Sequence, residues 1–414
     1  MAPDLAPGIR PFGRPPGCYK GGVPDVRPFT GLLYDEGAGP LEVLTAPPYD
    51  VISPMDQDRL YAASPYNIVR LILGKEEPGD DASVNKYTRG GSALRSWRDR
   101  GVLKPTPQPS LFPYELSFHF GGVSRRIRGL IAEVGLEPWG GSIVPHERTM
   151  PGPIEDRLAL IREVRANLSP VYSVFPDASS EVTEFLDAAM RGPPDREVMD
   201  DAGTRHRLWV TTDDIGRAVE AIWSKTLMIA DGHHRYTVAL AHREEMRERH
   251  GPGPWDSTMM FVVDAGSEDP PVLPIHRLVA DGIPRDGQDG ELVRDMAEVL
   301  ATLRDEDLTV GVVEMERGQL VHRVERLPGA PPTVCSLHEH VLDRVPDDKI
   351  RFVPDSVAAE QAVLAGRATI AYLLPPTRVD RVWSVVRSQA RLPQKSTYFW
   401  PKPRTGMVIR PLDP

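Results

Sequence analysis

Cysteine is almost missing: the 414 residues hold two, Cys18 and Cys335. Two thiols cannot build a disulfide framework, nor a zinc site made of cysteine ligands. Long apolar runs are missing too. No stretch approaches the ~18–20 residues a membrane helix requires, and the opening MAPDLAPGIR lacks the apolar centre of a signal peptide. A cytoplasmic protein with no membrane partner is therefore expected. Positive charge is in short supply, with 49 Lys and Arg against 59 Asp and Glu, a formal charge of −10. Such a chain has no general excess of cations to neutralise phosphates, which argues against a nucleic-acid partner.

Proline is what the chain has in plenty. There are 43, about one residue in ten against a usual ~5%, beside 35 glycines. The numbers fit many rigid loops between short elements. Residues 1–26 carry Pro3, Pro7, Pro11, Pro15, Pro16 and Pro24 and read as an extended arm. An untethered tail is the commoner fate of such an arm; a strap around a neighbouring subunit is the alternative, which leaves a homo-oligomer open. The length implies more than one core. The chain divides into the arm (1–26), an N-terminal α/β region (27–110), a central region (111–268) and a C-terminal α/β region (269–414).

Short strands are expected at Leu32–Leu33 and Leu41–Leu44, and a buried strand at 67–73. Ser53 before Pro54 is a helix N-cap with proline at the first helical position, so a helix should run through 56–63. Helices are also expected over 87–100 and 156–168, and a hairpin of 111–120 and 123–134 around Gly121-Gly122. A strand at 225–230 leads to Asp231-Gly232. A long helix then starts at His233 and stops at Gly251, followed by a strand at 259–263. His338 and His340 alternate as on a strand face. Strands and helices alternate irregularly, so the fold class expected is α+β with a mixed sheet.

The strongest chemical signal is Asp231-Gly232-His233-His234-Arg235-Tyr236, where a strand should give way to a helix. Amides at a helix start point outward and the helix dipole favours an anion there. Gly232 permits close approach, Arg235 offers a planar fork for phosphate or carboxylate, and His234 can donate or accept. Asp231 could cap the helix, bind a metal or take a proton. The plainer reading is a capped helix with ordinary surface histidines.

A second group is His146-Glu147-Arg148, followed by Asp156-Arg157. Glu147 or His146 could act as general base, and Arg148 or Arg157 as phosphate ligand, unless this is a loop with local ion pairs. No second histidine follows Glu147 at helical spacing, so this is not a zinc-protease motif, and no dedicated metal site is expected. Lys395-Ser-Thr-Tyr-Phe-Trp-Pro-Lys402 sets lysines and hydroxyls beside aromatics, either for phosphate and ring contact or as a buried terminal strand. Pro48-Tyr49-Asp50 is explained mostly by turn chemistry.

Six of these segments carry a resemblance. PPYDVISP (47–54), SPYNIVRL (64–71), HERTMPGP with DRLALIREVRANLSPVYSV (146–174), IADGHHRYTVAL (229–240), LPIHRLV (273–279) and PQKSTYFWPK (393–402) occur in order. On them the chain, from about Val26 to Ile409, resembles a large prokaryotic family catalogued as domain of unknown function 1015. Its members are often encoded beside serine-biosynthesis genes, which implies work on serine or phosphoserine. DGHHRYTVA alone is similar to the phosphate-binding motif of the ParB/sulfiredoxin superfamily, which includes free-serine kinases. That likeness implies a nucleotide-binding core of that kind with further α/β regions around it. It places Gly232, His234 and Arg235 at nucleotide phosphates and His233 where sulfiredoxin keeps its cysteine. With no cysteine there, sulfinic-acid repair is not expected.

Together these readings imply a kinase moving a phosphoryl group from ATP or ADP, with Mg²⁺ carried by the nucleotide, to the hydroxyl of serine or a related hydroxy amino acid. Glu147 is the candidate base, with Asp231, His146 and His233 as further catalytic candidates. Gly232, His234, Arg235, Arg148, Lys395 and Lys402 would hold the nucleotide. The alternatives are a phosphatase acting on phosphoserine or a similar ester, and a non-catalytic nucleotide-binding regulator.

Overall fold

The structure is a computed structural model that describes residues 23–147, 152–280, 290–388 and 390–413. The arm before Val23 and Arg148 lie outside the described residues. Two compact units are present. The first comprises the described residues of Met1–Val144, Met150–Asp269 and Pro401–Pro414; the second comprises those of Pro145–Thr149 and Pro270–Trp400. Residues 27–110 and 111–268, read apart in sequence, thus fall almost wholly in one unit.

Among the described residues, the first unit is built on a nine-stranded sheet. Its order is Ile143–Pro145, Leu227–Asp231, Val171–Phe175, Ser257–Asp264, Val123–Gly135, Phe112–Phe120, Arg205–Leu208, Arg196–Met199, with Val26–Arg27 laid beside Val123–Gly135. Ser257–Asp264 runs parallel to Val171–Phe175 and antiparallel to Val123–Gly135, so the sheet is mixed and the fold α+β. The expected hairpin closes with Phe120 opposite Val123. Gly121 and Gly122 both have positive φ, +59° and +79°, as a tight two-residue turn demands. Ser53 caps the helix Pro54–Ala63: its hydroxyl accepts from the Asp56 amide at 3.1 Å. The helices Lys86–Asp99 and His233–His250 both pack on Gly152–Val164.

Two expected strands are helical turns instead. Leu41–Leu44 and Val69–Ile72 are short helices. Their residues suit strands, yet local polar groups decide. Thr45 Oγ1 donates to the Leu41 carbonyl at 2.6 Å. Asn67 Oδ1 accepts from the Val69 amide at 2.9 Å, and its Nδ2 donates to the Val43 carbonyl at 2.8 Å. Such side-chain bonds turn the backbone away from a ladder. The helix expected to reach Leu168 stops at Val164, because Arg165 takes a positive φ of +51°. Ala166–Asn167 then pairs with Arg410–Pro411.

Residues 401–413 are stitched into this unit. Leu32 and Ile409 exchange backbone hydrogen bonds at 2.8 and 3.0 Å, and Thr405 bridges to Ala46. Buried Arg410 donates to Glu133 at 3.0 Å and to Asn167 at 3.1 Å.

The second unit carries a six-stranded sheet, ordered Glu291–Val293, Gln319–Arg326, Thr309–Glu316, Ile370–Leu373, His276–Val279, Ile350–Val353, with every pair antiparallel. Its core gathers Leu278, Val299, Val313, Ala359, Val363 and Leu373. His338 and His340 lie on a helical segment, not a strand, so their alternation does not put them on one face. Among the described residues no helix is long and apolar enough to cross a membrane.

Candidate functional site

Leu227, Met228 and Ile229 are wholly buried and commit the strand Leu227–Asp231 to the sheet interior. The strand ends where Gly232 takes φ +97° and ψ +27°, and the helix His233–His250 begins at once. An L side chain rarely adopts that φ. A Cβ added at Gly232 would also meet three guanidinium atoms of Arg235 at 3.0 Å. Gly232→Ala should therefore destabilise the protein by about 1–3 kcal/mol and push Arg235 off its partners. Chemical denaturation would measure the loss and a crystal structure of the variant the displacement of Arg235; an unchanged denaturation midpoint with Arg235 still on Asp231 would contradict this account.

Asp231 does not cap the helix. Its carboxylate pairs with Arg235, one helical turn on, and with Lys402 Nζ at 2.6 Å. Lys402 also reaches Asp50 at 2.7 Å, so one ammonium bridges two carboxylates. Its side chain is only 7% exposed. Burial works to raise the Asp231 carboxyl, but the Lys402 and Arg235 charges outweigh it and hold the group below the usual carboxylate range. Burial likewise works to lower Lys402, and Asp231 and Asp50 overcome it and lift the ammonium above its ordinary value. Arg235 is further fixed by Ser169 Oγ at 3.1 Å and by the Pro170 carbonyl.

Beside Arg235 lies a cavity of about 80 Å³. Its polar lining comprises Tyr49, Arg157, Asn167, Ser169, Arg235 and Thr258; Leu160 and Leu168 contribute to its larger apolar side. The Arg157 guanidinium sits 4.4 Å from the centre of the Tyr49 ring. Arg157 Nε donates to Asp156 at 2.7 Å and Nη1 to the Ile72 carbonyl at 2.6 Å. Asp156 is held in turn by the Tyr87 hydroxyl at 2.7 Å. Burial raises the Tyr49 phenol, which stays protonated near neutral pH. Tyr49 and Asp50, which turn chemistry alone could explain, thus stand with the 231–235 corner. Asp156 stands in the second sequence group and Ser169 in the 146–174 segment, but neither is given a role there; the fold brings them to this corner.

The remaining sequence candidates divide as follows. His233 is buried, and its ring stacks on Trp139 with centres 6.4 Å apart. His234 is partly buried beside it. Tyr236 is buried, and its hydroxyl donates to the Glu137 carbonyl at 2.7 Å. His146 and Glu147 belong to the second unit. There His146 Nε2 lies 2.5 Å from Thr397 Oγ1, and Glu147 Oε2 accepts from the Ser396 amide at 3.2 Å. Arg277, fully buried in the same unit, was not singled out by sequence; its Nε donates to His338 Nε2 at 3.1 Å. Lys395 is exposed in a turn with φ +50°. Among the described residues no group of three or more His, Cys, Asp or Glu could hold a metal ion.

The family model described as Protein of unknown function (DUF1015) matches residues 26–353, and the chain belongs to that family. No curated protein matches it. Among solved structures, it is similar to a free serine kinase in complex with AMP, at 12% identity and a TM-score of 0.34, over 62% of this chain and 83% of that one. A conserved hypothetical protein from Pyrococcus furiosus is similar at 10% identity and a TM-score of 0.34, over 63% of this chain and 89% of that one. SbnI with a C-terminal truncation, from Staphylococcus aureus, is similar at 11% identity and a TM-score of 0.31, over 63% and 81%.

Proposed function

We propose that this family member is a phosphotransferase. It would move the terminal phosphoryl group of ATP or ADP, bound with Mg²⁺, to the hydroxyl of a small molecule, serine or a related hydroxy acid. The observation that carries this reading is the Asp231 carboxylate, kept ionised between Lys402 and Arg235 where Gly232 opens a helix.

In the transfer the acceptor oxygen bonds to phosphorus and the bridging P–O bond to the nucleotide breaks. The acceptor proton departs, leaving a phosphomonoester and a nucleotide one phosphate shorter. Such a reaction needs positioning and charge neutralisation more than covalent help. Arg235 and Lys402 supply fixed positive charge, and the helix start adds its dipole. Asp231, held ionised by Lys402 and Arg235, orients the two cations, and it would be the corner's carboxylate nearest a nucleotide-borne Mg²⁺, which would supply further charge neutralisation. That ion keeps most of its waters and asks for only one or two carboxylates. Asp50 is the second carboxylate of this corner and shares Lys402 with Asp231. The sequence nominates Glu147 as the base. A phosphatase using His233 as nucleophile has less support, because that ring is buried against Trp139.

The test is transfer itself. The protein is incubated with nucleotide labelled in its terminal phosphate, Mg²⁺ and a panel of small hydroxy acids, and labelled phosphomonoester is expected. Release of phosphate from phosphoserine without nucleotide would replace this reading with the phosphatase. Tight nucleotide binding without turnover on any acceptor would replace it with the regulator.

A further inference from the structure

The second unit holds a cavity of its own, about 430 Å³ in volume, inside the ~300–1,000 Å³ range of small-molecule sites. It lies where the helix Ser356–Leu364 begins, beside the start of the strand His276–Val279 and the end of the strand Ile370–Leu373. Three of its lining residues are polar, His276, Asp355 and Ser356; every other one is leucine or proline. No lysine or arginine lines it, so the Asp355 carboxylate is its one formal charge when His276 is neutral.

His276 is 2% exposed. Its Nδ1 accepts from the Leu374 amide at 3.1 Å, which puts the proton of the neutral ring on Nε2. Burial, reinforced by the Arg277 charge, pushes the ring down to about 4, so it is neutral near pH 7. The Nε2–H has no hydrogen-bond partner among the described residues, and a buried donor is costly until something accepts from it. Asp355 caps the helix with one oxygen only: Oδ1 accepts from the Val357 amide at 2.7 Å and from the Ala358 amide at 3.3 Å. Those amides would otherwise draw an anion, and they are occupied. Asp355 Oδ2 and the Ser356 hydroxyl have no partner among the described residues and remain as acceptors. The Asp355 charge also acts on the His276 ring, opposing its downward shift, so the two polar groups are near neighbours.

We infer that this cavity binds a compact apolar primary amine, with the ammonium held by Asp355 and Ser356 and an oxygen of the same molecule accepting from His276 Nε2–H. The leucines and prolines receive the hydrocarbon part, and the lone carboxylate disfavours anions. The site lies within the second unit, and the inference does not depend on the phosphotransferase reading.

The experiment is a ligand-observed NMR titration of the full chain at pH 6.5, where an α-amine, with its pKa of ~7.7–8.0, is charged. L-Leucinamide is the first probe and should bind. 4-Methylpentanamide, the same molecule without the amine, should bind about 5-fold more weakly, the scale of a partly exposed charge pair. 3-Methylbutylamine, which lacks the carboxamide, should also bind about 5-fold more weakly, the scale of one hydrogen bond. Asp355→Asn keeps the cap, because Asn caps a helix as well as Asp does. It should weaken leucinamide by about 5-fold and leave 4-methylpentanamide unchanged. Leu300, which lines the cavity and is 42% exposed, can be enlarged without touching the core. Leu300→Trp should abolish binding of all three probes, with circular dichroism confirming that the protein is folded. Leucinamide that does not bind, or that binds folded Leu300→Trp or Asp355→Asn protein as it binds the wild type, would overturn the inference. Equal affinity for leucinamide and 3-methylbutylamine would remove His276 from the site and overturn the inference as stated.

Discussion

Arg235→Ala is expected to lower kcat/KM for phosphoryl transfer by about 10³-fold or more, the range seen when a cation on a transferring phosphoryl group is removed. Arg235 joins the segments of the corner: it ties Asp231 to Ser169 and Pro170 and lies against the left-handed Gly232. Its removal takes away a charge and also frees Asp231 from one of two partners. Arg235→Lys should recover little, because a point charge on a flexible stem cannot make the same planar set of bonds. Steady-state rates, with circular dichroism to confirm folding, decide the matter. A folded Arg235→Ala protein with near wild-type turnover would remove this corner from the chemistry.

Lys402→Met should show the largest effect on stability. The ammonium is 7% exposed and is the shared partner of Asp50 and Asp231. Taking one member from a buried ion pair typically costs about 3–5 kcal/mol, because the opposite charge stays behind. Asp231→Asn added to Lys402→Met should regain part of that loss, whereas an unrelated double variant would be additive. The pH dependence follows from the same pair. Asp231 has a folded-state pKa below its unfolded value of ~3.9. Its contribution to stability is therefore present above that value and is lost as the pH falls toward the folded one. In Lys402→Met the largest opposition to burial is gone, so the carboxyl rises and acid unfolding should begin at higher pH. Urea melts at several pH values measure this. An unmoved acid edge would mean that Lys402 does not hold Asp231 ionised.

The 231–236 corner was legible because its requirements are local. An apolar run, a glycine and a charged helix follow one another, and each constrains its neighbours within a few positions. The helix stop at Gly251 and the hairpin at Gly121-Gly122 were legible for the same reason. The role of Lys402 was not. The fold sets it between Asp50 and Asp231, and Asp50 lies 352 positions away along the chain. No local pattern encodes such a pair. Val69–Ile72 misled in another way: strand-forming side chains signalled one backbone shape, and the Asn67 side chain imposed another.

The return of residues 401–413 to the first unit has a consequence for how the protein is made. The backbone partner of Leu32 and the ammonium that neutralises Asp231 are both supplied by this segment. A ribosome must translate all of 270–400 before either can arrive. Until then the nascent first unit lacks the cation that Asp50 and Asp231 share, and a message interrupted after codon 236 but before codon 402 yields a polypeptide that retains the DGHHRY motif but lacks the lysine that completes it.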